Sequence, residues 1–595
     1  MQNFSPSPFH TELFNYLLSS VEKKIREEGL EQEQEFASYR DTLKNISEEH
    51  HSFIEILENY HRLFSKKKTI PIEKKMLEAF PPKEFPLNIS RGLPRIYRQE
   101  NPSINHIKEE FSNLLTLKQL GAERFLLPLY EQGEIPKDAK ICLLTYMLPD
   151  GWGDLIAHQE IAKILKARFP QNQVRSVLYI PKSVSLKECN FDGVIIEYDK
   201  ECPPFSEKEE SIFCSSDLIL SIPTFYPHTE ELKKKFPASK LLSIGQYGFI
   251  ESEKFHPRSQ NYSMGLHFLE KGVLIREQTE KKDFRTLENQ TLLFALFGTV
   301  TPQTIDIETY HASHKFYLAY LVSPIGGAIY LHALLQLESN NHKTLDICSP
   351  HIGWLIEYIK KRQTEQKPLL EGDFGIREIE IHCDGKIHRN VLAASGKTVR
   401  VLCPGALSDR DFRKALLLSE EFIAVRGDQS FSEAISASRL FFYDGALHAR
   451  YFVKDLLALA ENRLRQNTAA LSFFRCMGQS FLHNIADEPS DWVEETYFQE
   501  KEPWEQIAKT LGLALQSPKT LIGCRQLSEI IRNEYSFNKT VCQIVLREFF
   551  HRQFPEKGQR EKNELLAFAE GKQTLKETLS NLRRDGDGRT CSPLS

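Results

Sequence analysis

No C-x-x-C pair occurs among the eleven cysteines, at 142, 189, 202, 214, 348, 383, 403, 476, 524, 542 and 591, which removes a zinc ribbon and a thioredoxin-like centre from consideration. Cys142, Cys348 and Cys403 sit in apolar runs, so buried free thiols of a reducing compartment are expected rather than disulfides. Neither sign of charge is in excess. The balance of 76 Lys+Arg against 81 Asp+Glu, a formal −5, excludes long-range attraction to nucleic acid or an anionic membrane. An unbroken apolar span is also missing: residues 316–337 carry no charge over about the ~20 residues a membrane helix needs, but Ser323-Pro324 and Gly326-Gly327 interrupt them. The pattern predicts a buried strand over 316–322, a tight loop and a helix over 325–338, with no transmembrane segment. The opening MQNFSPSPFHTELF has neither the basic start nor the apolar core of a secretory signal, so a cytoplasmic protein is expected. No G-x-G-x-x-G follows a first strand, and Gly396-Lys397-Thr398 is not a P-loop, because Val391 stands where its glycine is needed. Glu49-His50-His51 and the pair His311 and His314 lack a third ligand at a metal-like spacing, so no metal is expected.

What is present is ordinary globular composition, 41% hydrophobic and 26% charged. The 595 residues predict three or four structural units at roughly 100–200 residues each. Residues 1–120 show apolar positions three and four apart and predict a helical N-terminal module. From 138 the period changes: KICLLTYML, VRSVLYI, FDGVIIEY, SDLILSI and KLLSIG alternate with helix-forming stretches, predicting a Rossmann-like domain with its linker over 138–312. A second series, KFYLAYLV, KTLDICS, IREIEIHC, KTVRVLCP, EFIAVRG and RLFFYD, predicts another over 313–465. Residues 466–595 read as helical again. The fold class is therefore α/β, two tandem doubly wound domains flanked by helical regions, with ligands expected at the carboxyl ends of the strands.

Two loops carry the chemistry. Asp150-Gly151-Trp152-Gly153-Asp154 follows an apolar strand and precedes the helix LIAHQEIAKILKARF. Gly151 and Gly153 permit a sharp turn close to a ligand, and the helix N-terminus presents unpaired N–H groups. Asp150, at the strand's carboxyl end, suits a general base, whereas Asp154 suits either that role or a helix N-cap. The second loop, Arg426-Gly427-Asp428-Gln429-Ser430-Phe431-Ser432-Glu433, lies between EFIAV and a short helix. Its glycine turn and helix start form a phosphate cradle to which Arg426 adds charge-assisted bonds. Ser430 can donate a hydroxyl, and Asp428 or Glu433 can accept from ribose. The same residues also read as a capped helix start with Arg426 in a surface ion pair. Pro404-Gly405 form a similar strand-to-helix turn, and Tyr320, ahead of Gly326-Gly327, can stack on a base or fill the core.

Together these features resemble the GT-B glycosyltransferase architecture, and the two motifs are similar to those of the protein-arginine rhamnosyltransferases that modify bacterial elongation factor P. That family opens its first domain with Asp-x-aromatic-Gly-Asp and carries Arg-Gly-Glu-Asp-Ser-Phe at the donor diphosphate. The resemblance implies that Asp150 and Asp154 are the catalytic carboxylates, that Arg426 and Ser430 hold phosphate oxygens, and that Asp428 contacts the nucleotide. It also implies that Glu433 binds the donor ribose and Tyr320 the base. Two positions depart from that pattern: Asp428 is a carbon shorter than the family's Glu, and Gln429 replaces an acid. The likeness covers residues 138–465. It implies metal-independent, inverting transfer from a nucleoside diphosphate sugar to an unknown acceptor, a protein side chain among the options, with no further cofactor and no nucleic acid partner. A nucleotide-sugar epimerase and a helical interaction protein with a degenerate core are the alternatives. The helical flanks also fit a bacterial effector delivered to another cell. The central expectation is that an acid from one domain and a guanidinium from the other address one bound molecule.

Overall fold

The computed structural model describes residues 125–147, 152–182, 191–199, 203–222, 227–236, 240–245, 262–267, 270–370, 374–445, 449–484, 502–569 and 572–583, with Gln119, Ala122, Glu123 and Tyr247. Asp150, Gly151 and the helical module expected before 119 lie outside them. The described residues form two compact units, one up to Gly272 and again from Ser536, the other Val273–Tyr535.

The first unit is built on β1 (Lys140–Tyr146), α1 (Trp152–Arg168), β2 (Gln173–Pro181), β3 (Val194–Tyr198), α2 (Glu207–Ser215), β4 (Leu218–Ser221), α3 (Thr229–Lys235), β5 (Leu241–Gly245) and β6 (Tyr262–Ser263). All neighbouring strands are parallel, in the order β3-β2-β1-β4-β5-β6. Helices on both faces explain why β1 and β4 read as continuous apolar runs rather than alternating ones: Ile141, Leu143, Leu144, Ile219 and Leu220 are all fully buried. Asp154 in the first turn of α1 and Lys166 and Arg168 in its last turn match the helix dipole. A reciprocal capping box between Ser206 and Glu209 starts α2. The chain order turns at β1, which has β2 on one side and β4 on the other. Such a switch point leaves a crevice at the carboxyl ends.

The second unit contains β7 (His314–Leu318), α4 (Pro324–Leu337), β8 (Thr344–Cys348), α5 (Gly353–Thr364), β9 (Ile376–Cys383), β10 (Lys386–Val391), β11 (Lys397–Cys403), α6 (Asp409–Leu418), β12 (Phe422–Val425), α7 (Gly427–Ser436) and β13 (Leu440–Tyr443). The order β10-β9-β11-β8-β7 continues through a parallel bridge between Ala319 and Ala424 to β12 and β13. Its switch point therefore lies between β7 and β12. Only β10 runs antiparallel. It turns back from β9 at Asp384-Gly385, both with positive φ (50° and 72°), as a two-residue hairpin requires. The strand expected over 316–322 is shorter, and Pro324 to Gly327 form the first turn of α4 under the N-cap Ser323. No described helix is long and apolar enough to cross a membrane.

Beyond the sheet, α8 (Arg450–Arg463), α9 (Thr468–Asn484), α10 (Trp504–Leu515) and α11 (Pro518–Glu534) belong to the second unit. They bury Phe473, Phe474, Met477, Leu511 and Leu527, with α9 and α10 both packed on α4. The last helices, α12 (Phe537–Gln553), α13 (Pro555–Ala569) and α14 (Leu575–Arg583), belong to the first unit. There α12 lies against α1 and the turn Leu127–Tyr130. Buried Arg547 bonds Glu561 (2.7 Å), Glu123 (3.0 Å) and the Tyr262 hydroxyl (2.9 Å), and the Tyr130 hydroxyl donates to Glu561.

Candidate functional site

Three strand ends of the second unit converge at its switch point. After β7, the Tyr320 N–H donates to the Ala424 carbonyl (3.0 Å), and the chain turns at Val322-Ser323 into α4. Ser323 caps that helix through the Gly326 N–H (3.1 Å). After β12, Arg426 is extended, and Gly427 takes φ +80°, where a side chain would be strained, before α7 begins. After β13 comes Asp444, whose side chain is fully buried. Its Oδ2 accepts from the Val322 N–H (2.8 Å), the Ser323 N–H (3.0 Å) and Arg426 Nη1 (3.0 Å), while Oδ1 accepts from Asn484 Nδ2 (3.0 Å). The Ser323 hydroxyl in turn donates to Asn484 Oδ1. One carboxylate thus ties together three strand ends and the last residue of α9. Arg426 retains 25% side-chain exposure and lines a cavity of about 440 Å³ with Ser323, Pro324, Ile325, Lys361, His483 and Asn484, with Glu357 at its wall. A guanidinium, a lysine and the start of a helix facing one cavity make it suited to an anion.

The other expected donor residues are placed as follows. The Ser430 hydroxyl accepts from the Arg426 N–H (2.9 Å) and donates to the Arg426 carbonyl (2.5 Å), so it is turned into the backbone of its own loop. Asp428 lies in the first turn of α7. Glu433 is buried and held by Arg276, with Gln429 Nε2 donating to it at 2.8 Å; Arg276 also grips Asp409 at 2.7 Å. Burial pushes the Glu433 carboxyl above the usual range despite the Arg276 guanidinium. Gly326 and Gly327 are buried in α4. A Cβ on Gly326 would stand 2.7 Å from Asp444 Oδ1, and one on Gly327 2.2 Å from the Trp354 ring, so their bare faces serve close packing. Pro404 and Gly405 follow β11, two strands from β7 in the sheet, with Gly405 at φ +74° beside open space. The half-buried Tyr320 ring lies 5.5 Å from His351 and 5.9 Å from Phe412, forming a partly open aromatic shelf beyond the carboxyl ends of β7 and β8.

In the first unit, α1 starts at Trp152, and Gly153 and Asp154 fall in its first turn, with Asp154 buried. One turn on, buried His158 meets Thr145 of β1, Nδ1 to Oγ1 at 2.7 Å, and the Thr145 hydroxyl donates to the Ile222 carbonyl after β4. Thr145 has one proton, so His158 donates to it from Nδ1. Burial pushes its pKa down to about 3. The triad bridges the switch point of that sheet.

Sequence reasoning missed Asp444, Asn484, Lys361, His351 and Phe412. For Asp444 a signal existed: RLFFYD ends an apolar strand on an acid, the pattern that drew attention to Asp150. Asn484 and Lys361 lie on helices whose positions depend on tertiary packing, and no local pattern marks them.

No family model matches the chain, and no curated protein does. Among solved structures it is similar to Acinetobacter baumannii MurG (11% identity, 69% of this chain and 99% of that one, TM-score 0.31). It is also similar to a mutant Thermobaculum terrenum O-GlcNAc transferase (9% identity, 92% and 98%, TM-score 0.34) and to the E. coli ADP-heptose LPS heptosyltransferase II (12% identity, 51% and 84%, TM-score 0.24).

Proposed function

We propose that the chain is a glycosyltransferase that takes a sugar from a nucleoside diphosphate donor held at the β7–β12 switch point of the second unit. The observation that carries this reading is Arg426, fixed on a buried carboxylate and facing a cavity at the start of α4. The base has a place on the aromatic shelf of Tyr320, His351 and Phe412. The departing diphosphate gains charge as the glycosidic bond breaks, and fixed N–H groups and a guanidinium are suited to stabilise it, each well-placed donor worth on the order of 3 kcal/mol. Asp150 and Asp154, in the loop that resembles the rhamnosyltransferase motif, supply the carboxylates that deprotonate the acceptor, and direct displacement inverts the anomeric centre. The acceptor is a hydroxyl or a protein side chain.

A thermal-shift panel of UDP-, GDP-, dTDP- and ADP-sugars tests the reading. At a hundredfold excess over Kd, the matching donor should raise the melting temperature by about 5–10 °C. No shift with any of them would contradict it. Asp150→Asn and Asp154→Asn should keep the donor shift while losing transfer and donor hydrolysis. Full turnover by both variants would remove the two carboxylates from the chemistry.

A further inference from the structure

We propose, resting on the diphosphate reading above, that Asp444 is the positioning residue of the anion site: its buried carboxylate holds Arg426, the Val322-Ser323 turn and Asn484 as one preformed receptor. Four donors converge on two oxygens: two backbone N–H groups, one guanidinium nitrogen and one amide nitrogen, at 2.8–3.0 Å. Arg426 reaches the carboxylate only through Nη1, which leaves the opposite edge of the guanidinium for a ligand. The carboxylate also fixes the turn that opens α4, so the helix start and the arginine keep their mutual geometry before any anion arrives. Preorganisation of this kind strengthens binding because less freedom is lost at the moment of association.

The same carboxylate is a counter-charge to Arg426, and as a mere counter-charge it would weaken anion binding. The two roles predict opposite results for Asp444→Asn, an isosteric change. Every neighbour of Asp444 in the network faces it as a donor. An amide therefore sets its own NH₂ against a donor in either orientation, and reorienting Asn484 would cost the Ser323 hydroxyl its acceptor. The turn and Arg426 are then loosened, and the lost bonds to a charged group are worth about a tenfold change in affinity.

The test uses the full chain and calorimetric titration with inorganic pyrophosphate and with UDP, GDP and dTDP. Asp444→Asn should bind the best of these probes about tenfold more weakly than wild type. In an Arg426→Ala background the same substitution should have no further effect, a non-additivity that a general loss of stability would not produce. Should Asp444→Asn fail to fold, Asn484→Ala, which removes one donor to the carboxylate, should weaken binding about threefold with the same dependence on Arg426. Unchanged or tighter binding by the folded variant, or additive effects, would overturn the positioning role while leaving the diphosphate reading intact. Failure of the wild type to bind any probe would overturn that reading, and the proposal with it.

Discussion

Arg426 owes its orientation to a partner that does not show in its own loop. The local motif allows a surface ion pair, but the partner is Asp444, buried 18 residues further on at the end of the next strand. The loop's strand–glycine turn–helix pattern was legible because it is local. Its geometry was not, because a strand pairing brings the carboxylate in. Glu433 shows the converse: its spacing suggests ribose, while its carboxylate faces Arg276, a residue far away in sequence. His158 makes the stability of the fold depend on pH. Its folded pKa of about 3 lies below the ordinary 6.5, so the unfolded chain takes up a proton first and stability falls as pH drops from 6.5 toward 3. The loss is up to about 1.4 kcal/mol per pH unit. His158→Gln should flatten that part of a stability–pH profile measured by urea unfolding; identical slopes would show that the imidazole is not buried neutral.

Among the elements, the parallel strands were readable because both faces are covered and continuous apolar runs result. The exposed edge strand β10 was not read, since KIHRNV has no buried face to pattern it. Its real signal is Asp384-Gly385, a hairpin dipeptide standing between IREIEIHC and KIHRNV. Gly326 and Gly327 lie inside the helix expected over 325–338, as they do in α4, and theirs is the face on which α5 packs. Gly327→Ala should cost about 1–3 kcal/mol because Trp354, buried and rigid, cannot give way, and the urea midpoint measures this. In the C-terminal helices, burial alone would raise the Glu561 pKa, but Arg547, His551 and the Tyr130 hydroxyl hold it down to about 2. A depressed carboxylate stabilises above its unfolded pKa of 4.5 and loses that contribution only as pH falls through about 2. Glu561→Gln should therefore lower the melting temperature at pH 7, leaving Arg547 short of a partner at a cost of about 3–5 kcal/mol. The gap should persist to pH 5 and close only in strong acid; a gap that closes at pH 5 would contradict the depressed carboxylate.

At the scale of the whole molecule, the sequence reads as a linear series of modules, but the described chain returns: its last three helices belong with the first sheet. No local pattern announces that return, because an amphipathic helix states which face it buries and not against what. Arg547, fully enclosed with carboxylates from two distant segments, is the residue that records it. A chain ending at Tyr535 should accordingly lose the solubility of the first unit, while a site wholly within Val273–Tyr535 should keep its ligand. The most direct test is calorimetric titration of the nucleoside diphosphate selected by the thermal-shift panel into wild type and Arg426→Ala. The predicted result is a Kd raised about 10- to 100-fold, alongside a lower melting temperature because the buried Asp444 carboxylate loses its guanidinium partner. Equal affinity in the two proteins would contradict a diphosphate held by Arg426.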